Sequence, residues 1–89
     1  MEINKRFFKA FEALSVAGKI DSMTAFCEKY GLYRIKYSRL KAKINEPTKK
    51  DTDYKNVDSV ALGYLVKDYN VSAEWILTGK GQMFANSQP

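Results

Sequence analysis

A glycine between two short stretches of helical periodicity most constrains how this chain can fold. Gly31 separates Met23–Tyr30 from Tyr33–Ile44, and apolar residues recur in both stretches at three- or four-residue spacing. This spacing predicts two amphipathic helices. Glycine readily adopts the left-handed conformation that ends a helix and turns the chain sharply. The sequence therefore predicts two short helices packed across a tight turn, the arrangement called helix-turn-helix.

The residues around this glycine meet the packing demands of such a unit. The first helix needs apolar anchors one turn apart, the crossing needs a small side chain, and the turn needs an apolar residue behind it. The second helix must be held by its inner face alone. The chain supplies these groups as Phe26 and Tyr30, Cys27, Leu32, and the pair Tyr37 and Leu40.

The second of the two helices carries charge of one sign. Between Tyr33 and Lys43 the chain has five basic residues and no acidic residue. The first 44 residues hold ten basic and four acidic residues, a net charge of +6, whereas residues 45–89 hold five and six, a net charge of −1. A basic half beside a near-neutral half indicates a surface that faces a polyanion. Because a B-DNA major groove accepts one α-helix, we expect the partner to be double-stranded DNA.

The side of this helix opposite its apolar stripe is expected to read base edges. Arginine can donate two hydrogen bonds to guanine, serine can serve several bases, and an outward isoleucine can contact a thymine methyl group. The predicted base-contacting residues are Arg34, Ile35, Ser38 and Arg39. Contacts to the DNA backbone are predicted for Ser22, Thr24, Tyr33, Lys36, Lys41, Lys43, Lys49 and Lys50.

Three further helices are predicted around this unit. The first covers Asn4–Ala17, with Arg6 off its apolar stripe; the fourth covers Val57–Tyr69, and a short fifth follows Ser72 and stops before Gly79. The residues expected to face the core are Phe7, Phe8, Phe11 and Leu14, then Val57, Val60, Ala61, Tyr64 and Leu65, and finally Trp75, Ile76 and Leu77. The predicted fold class is all-α, with one domain over residues 1–79 and a tail over residues 80–89.

Two segments resemble a known family. MTAFCEKYGLYRIKYSRL resembles the helix-turn-helix of phage-repressor-like (XRE-type) DNA-binding domains, and VSAEWILTGKGQMF is similar to the closing segment of that family's phage repressors. Over about residues 5–84, the resemblance implies a five-helix lambda-repressor-like bundle that binds operator DNA, often as a homodimer. It places Arg34, Ile35, Ser38 and Arg39 at the family's base-contacting positions.

The chain departs from this family at three points. Met23 stands where a phosphate-binding glutamine is common, and Tyr33 stands where a small N-cap residue is expected. Lys41 and Lys43 replace the acidic residue and glycine that commonly follow the recognition helix, so this helix is expected to extend further. These differences concern how the domain docks on DNA and leave the predicted fold unchanged.

The composition argues against an enzyme. With no histidine and a single cysteine, Cys27, the chain lacks Cys–His zinc sites and Ser–His or Cys–His nucleophile pairs. We therefore expect no cofactor, no metal and no small-molecule substrate. The lone cysteine, the lack of a signal-peptide pattern and the lack of a membrane-spanning apolar run favour a cytoplasmic protein.

The function that these patterns predict is sequence-specific DNA binding by a bacterial or prophage transcriptional regulator or repressor that occupies an operator. A homodimer is expected, because Ile76, Met83 and Phe84 cannot all face one small core. The alternative is a protein-interaction module on the same fold, of the antitoxin or anti-repressor type. The acid-free outer face of the basic helix favours DNA, because protein-binding faces expose more aromatic residues and fewer lysines.

Overall fold

The computed structural model describes residues 2–45 and 56–85, which form five helices. The helices are α1 (Ile3–Val16), α2 (Met23–Tyr30), α3 (Arg34–Asn45), α4 (Ser59–Tyr69) and α5 (Ala73–Thr78). Among the described residues, extended pairing is limited to one isolated antiparallel bridge, between Val71 and Phe84. The predicted all-α class is confirmed.

Three helices begin at capping side chains that the sequence supplies. Ser22, Asp58 and Ser72 precede α2, α4 and α5, and each accepts a hydrogen bond from the backbone N–H three residues later. Such caps satisfy N–H groups that have no partner inside the helix. The predicted limits of α2 and the cap of α5 are correct. Helix α4 starts two residues after the predicted Val57, because Asp58 is its N-cap.

The turn between α2 and α3 has the geometry that its glycine predicts. Gly31 is left-handed, with φ of 68°. The backbone N–H groups of Gly31 and Leu32 both donate to the carbonyl of Cys27. These two hydrogen bonds to one carbonyl oxygen end α2 and turn the chain toward α3 within three residues.

All five helices contribute to one core. Its buried residues are Phe7, Ala10, Phe11, Leu14, Ile20, Phe26, Cys27, Tyr37, Leu40, Val57, Ala61, Leu62, Leu65, Val71, Trp75 and Ile76. Tyr64 and Phe8, both predicted to face inward, are partly buried against this cluster.

Two residues predicted to face the core are half exposed instead. Val60 and Leu77 each keep 52% of their surface in solvent. In α4, the arc through Ala61 and Leu62 is buried, and Val60 lies ~100° outside it. In α5, Trp75 fills the core side together with Ile76, so the next residue turns outward. The burial of Trp75 was predicted correctly.

The predicted exposure of Arg6 is wrong. Its side chain is 5% exposed, and it lies against the carbonyl end of α5. The Nε of Arg6 donates to the carbonyl of Ile76 at 2.8 Å, and a terminal nitrogen donates to the carbonyl of Leu77 at 3.1 Å. The last carbonyls of a helix have no intrahelical partner and carry partial negative charge, so a guanidinium stabilises them. Arg6 thereby joins α1 to α5.

Asn4 makes a second polar link from α1. It is 8% exposed, and its side-chain oxygen accepts a 2.9 Å hydrogen bond from the backbone N–H of Val57. This bond attaches the segment before α4 to the first turn of α1. Two buried polar side chains of one helix therefore hold segments that follow much later in the sequence.

Part of the predicted tail packs on the bundle. The backbone N–H of Ser72 donates to Met83, and that of Ala85 donates to Asn70, so residues 83–85 run beside the α4–α5 connection. Met83 and Phe84 are partly buried against the core. Ile76 is 1% exposed, as predicted for a residue that faces the core. Residues 86–89 lie outside the described part of the chain. None of the described helices combines the length and the apolar character needed to cross a membrane.

Candidate nucleic-acid interface

Helix α3 has one buried face and one exposed face. Tyr37 and Leu40 are each 1% exposed and hold the helix to the core. The four predicted base-contacting residues, at relative positions i, i+1, i+4 and i+5, are all exposed on the other side of the helix, and they are Arg34, Ile35, Ser38 and Arg39. The structure therefore brings this predicted set together on one accessible face.

Aromatic packing fixes the inner side of the helix-turn-helix to α1. The ring of Phe26 in α2 meets that of Phe11 edge to face, with 5.4 Å between centroids. The ring of Tyr37 in α3 lies 5.9 Å from that of Phe7. Such ring pairs add directional contacts to the burial of apolar area. Helix α1 thus packs against the inner sides of α2 and α3, and the outer face of α3 remains exposed.

Cys27 lies at the contact between these helices and is 2% exposed. Burial raises the pKa of its thiol, and the positive charge of Arg34 opposes this rise only in part. A buried neutral thiol is a poor nucleophile and a poor metal ligand. Cys27 therefore acts as the small packing residue that the sequence predicts.

Asp58 connects α3 to the start of α4, a contact that the sequence pattern did not predict. Its carboxylate accepts a 2.9 Å hydrogen bond from the hydroxyl of Tyr37 and lies 3.4 Å from the Nζ of Lys36. Burial alone would raise the pKa of Asp58, but these two groups and the N–H of Ala61 outweigh it and lower this pKa below its usual range. Burial, and then the bond to Asp58, raise the pKa of Tyr37. An aspartate just before a helical stretch was the available signal.

The predicted backbone-contacting residues differ in their surroundings. Lys41, Thr24 and Tyr33 are exposed, and Lys43 is partly buried. The side-chain oxygen of Ser22 already accepts the capping hydrogen bond of α2. Lys36 is paired with Asp58, as described above. Lys49 and Lys50 lie outside the described residues.

A groove of about 600 Å³ runs between α1, the start of α2 and α3. Phe8, Phe11 and Met23 form its apolar side, and Ser22, Ser38 and Lys41 lie along it as well. Residues from the start of α2 and from α3 that were predicted to contact DNA therefore face one shared depression.

Within residues 2–45 and 56–85, no three acidic or cysteine side chains are grouped closely enough to hold a metal ion.

No known protein family, curated protein or solved structure matches this chain. The functional assignment therefore depends on the geometry of α2 and α3.

Proposed function

We propose that this protein binds double-stranded DNA sequence-specifically through α3 and regulates transcription in a bacterium or prophage by occupying an operator. The observation that carries the proposal is the two-faced character of α3. Tyr37 and Leu40 are buried, while basic and polar side chains on the opposite face are exposed. The resemblance to phage-repressor-like domains supports the same reading, and we propose a lambda-repressor-like bundle that acts in the cytoplasm without a cofactor.

The exposed face suits the floor of a major groove. Arg34 and Arg39 are separated by ~7.5 Å along the helix axis, about the height of two base pairs. Each can donate two hydrogen bonds to a guanine. Ile35 is 37% exposed, and a thymine methyl group would cover apolar surface that otherwise faces water. Ser38 lies between the two arginines and can donate to or accept from several bases.

Phosphate contacts are assigned to the groups that flank this face. Lys41 and Lys43 follow the base-reading residues on α3, and Thr24 is exposed in the first turn of α2. The hydroxyl of Ser22 keeps a hydrogen to donate while its oxygen caps the helix. Contacts of this kind set the position of a protein on the duplex, whereas the base contacts give the specificity.

We propose a homodimer as the DNA-bound form. Two apolar side chains, Val60 on α4 and Leu77 on α5, remain 52% exposed and are available to a second copy. Two-fold symmetry would place the half-sites about one DNA turn, ~34 Å, apart. Sedimentation of the free protein and footprinting of the bound operator test this. A monomer at high concentration that protects one unpaired half-site would contradict it.

A protein-interaction module is the second candidate, and an aromatic patch on α2 and α4 favours it. The rings of Tyr30 and Tyr64 stack with centroids 3.9 Å apart, and both are half buried. The ammonium group of Lys29 lies 5.3 Å from the Tyr30 ring and 5.6 Å from the Tyr69 ring. Tyrosines are enriched at protein interfaces. This patch lies on α2 and α4, whereas the residues proposed to contact bases lie on α3, so the two candidate functions use different surfaces.

Selection of bound sequences from a random DNA pool decides between them. We expect enrichment of a defined sequence by the parent protein and its loss in the double variant Arg34→Ala, Arg39→Ala. The matched control is Lys67→Ala, which removes an exposed charge from α4. Absence of enrichment, together with no salt-dependent binding to any duplex, would reject DNA binding and favour the aromatic patch.

A further inference from the structure

Lys36 differs from the other cations of α3. Among the residues that the structure describes, it is the α3 cation with a carboxylate partner, at 3.4 Å from Asp58. Its ammonium group also lies 5.9 Å from the ring centroid of Tyr37. The side chain is 21% exposed, against 45% for that of Asp58. The Lys36 side chain therefore points toward the start of α4 and is only partly exposed to solvent.

The carboxylate that pairs with Lys36 is itself fixed in place. One oxygen of Asp58 accepts hydrogen bonds from the hydroxyl of Tyr37 at 2.9 Å and from the N–H of Ala61 at 3.4 Å, while the other faces Lys36. Because Asp58 is held by both α3 and α4, it cannot follow Lys36 outward. For Lys36 to reach a phosphate, it would have to leave a charged partner behind.

The same carboxylate occupies the N-terminus of α4. Helix N-termini attract anions, because their free N–H groups and the helix dipole favour negative charge. Asp58 already satisfies one of these N–H groups and brings a negative charge of its own. A phosphate at this position would meet repulsion, so the edge of α3 that carries Lys36 is poorly suited to the DNA backbone.

We propose that Asp58 holds Lys36 away from DNA, so that Lys36 positions α3 against α4 and makes no phosphate contact. This rests on the proposed DNA-binding function and reassigns a lysine that the sequence alone placed on the DNA backbone. It makes Asp58 and Lys36 a positioning pair, and it leaves Lys41 and Lys43 as the phosphate-binding cations of α3.

A cycle of four proteins tests the pair: the parent, Lys36→Met, Asp58→Asn and the double variant. Asparagine is as good an N-cap as aspartate, and its amide oxygen can still accept from Tyr37 and Ala61, so Asp58→Asn removes mainly the charge. Each protein is titrated with a random duplex at several salt concentrations, and thermal melting confirms that each is folded.

In the parent background, Lys36→Met should leave the salt slope unchanged. Asp58→Asn should steepen the slope by ~0.9, because the released lysine now displaces one counterion from a phosphate. A steepening of that size makes the gain in affinity ~3.5-fold larger at 50 mM than at 200 mM salt. The double variant should return to the parent slope.

Two results would overturn the inference while the parent still binds DNA. One is a shallower slope for Lys36→Met in the parent background, since Lys36 would then already contact a phosphate. The other is an undiminished gain in the double variant, since Asp58 would then act without Lys36. In both cases Lys41→Ala would still weaken binding, which separates these failures from failure of the DNA proposal itself. A parent that binds no duplex would overturn both.

Discussion

The hydroxyl of Tyr37 donates a 2.9 Å hydrogen bond to Asp58, and this bond joins the buried face of α3 to the cap of α4. Tyr37 is 1% exposed, so its donor has no access to water as a substitute partner. A buried donor left unpaired is costly. The orientation of α3 therefore depends on a carboxylate that is itself partly open to solvent.

Stability at low pH should depend on Asp58. Its pKa is lowered in the folded state by Tyr37, Lys36 and the N–H of Ala61, which outweigh the effect of burial. A group whose pKa is lowered on folding stabilises the protein above its unfolded pKa, ~3.9 for aspartate, and loses that contribution as the pH falls. The melting temperature should therefore decrease as the pH is lowered below about 4, and Asp58→Asn should make this decrease smaller.

The difference between the parent and Asp58→Asn, in plots of melting temperature against pH, separates the contribution of Asp58 from those of the other carboxylates. The effect should stay below ~1 kcal/mol, because half-exposed ion pairs are screened by water. Glu28→Gln, which removes an exposed carboxylate from α2, serves as the control. Parallel curves for Asp58→Asn and the parent would contradict the prediction.

Truncation of Trp75 should destabilise the bundle far more than truncation of its neighbour Leu77. Trp75 is 9% exposed and lies in the core, whereas Leu77 is 52% exposed. Trp75→Ala should cost ~3–5 kcal/mol, and Leu77→Ala should cost less than ~1 kcal/mol. Urea denaturation followed by circular dichroism measures both. Similar costs would show that α5 is held in a different way.

Replacement of Arg6 tests the link between α1 and α5. Arg6→Met keeps much of the apolar stem and removes the two hydrogen bonds to the carbonyls of Ile76 and Leu77. We expect a loss of ~1–3 kcal/mol, because buried acceptors are left without a donor. Lys5→Met, at an exposed position next to it, should change stability by less than ~0.5 kcal/mol. An equal response of the two variants would remove the proposed capping role.

Base contacts and phosphate contacts of α3 should separate in binding experiments. Arg39→Ala should lose ~1–3 kcal/mol on the selected site and little on random DNA, because a bidentate guanine contact discriminates between bases. Lys41→Ala should weaken binding to both duplexes and make the salt slope shallower by ~0.9. Ile35→Ala should resemble a mild Arg39→Ala where the site has thymine. Equal losses on both duplexes for Arg39→Ala would assign it to the DNA backbone.

The local features of this fold were predictable from the sequence because neighbouring residues encode them. Gly31 and Ser22 set the limits of α2 through backbone conformation and capping, which act within a few residues. The exposed face of α3 followed from helical periodicity once its apolar stripe was identified. These features include all four residues that are proposed to contact bases.

The missed features depend on contacts between distant parts of the chain. Periodicity treats a charged residue as solvent-facing, so it could not show that Arg6 is buried against carbonyls 70 residues later. Asp58 has local significance as a cap, but its contacts with α3 require the tertiary structure. Val60 and Leu77 were misplaced because a short helix with apolar residues on two sides does not specify which side packs inward.

The polar links from α1 have a consequence for synthesis on the ribosome. Asn4 and Arg6 bind segments that begin at Val57 and Ile76, so α1 emerges first and must wait for its partners until most of the chain has been translated. Contacts of such long sequence separation close late in folding. A premature stop codon before Ala73 would leave in the product every α3 side chain that is proposed to contact bases. It would also remove the carbonyls and the tryptophan that complete the bundle, so we expect a nascent chain of that length to be a substrate for proteases rather than a smaller DNA-binding protein.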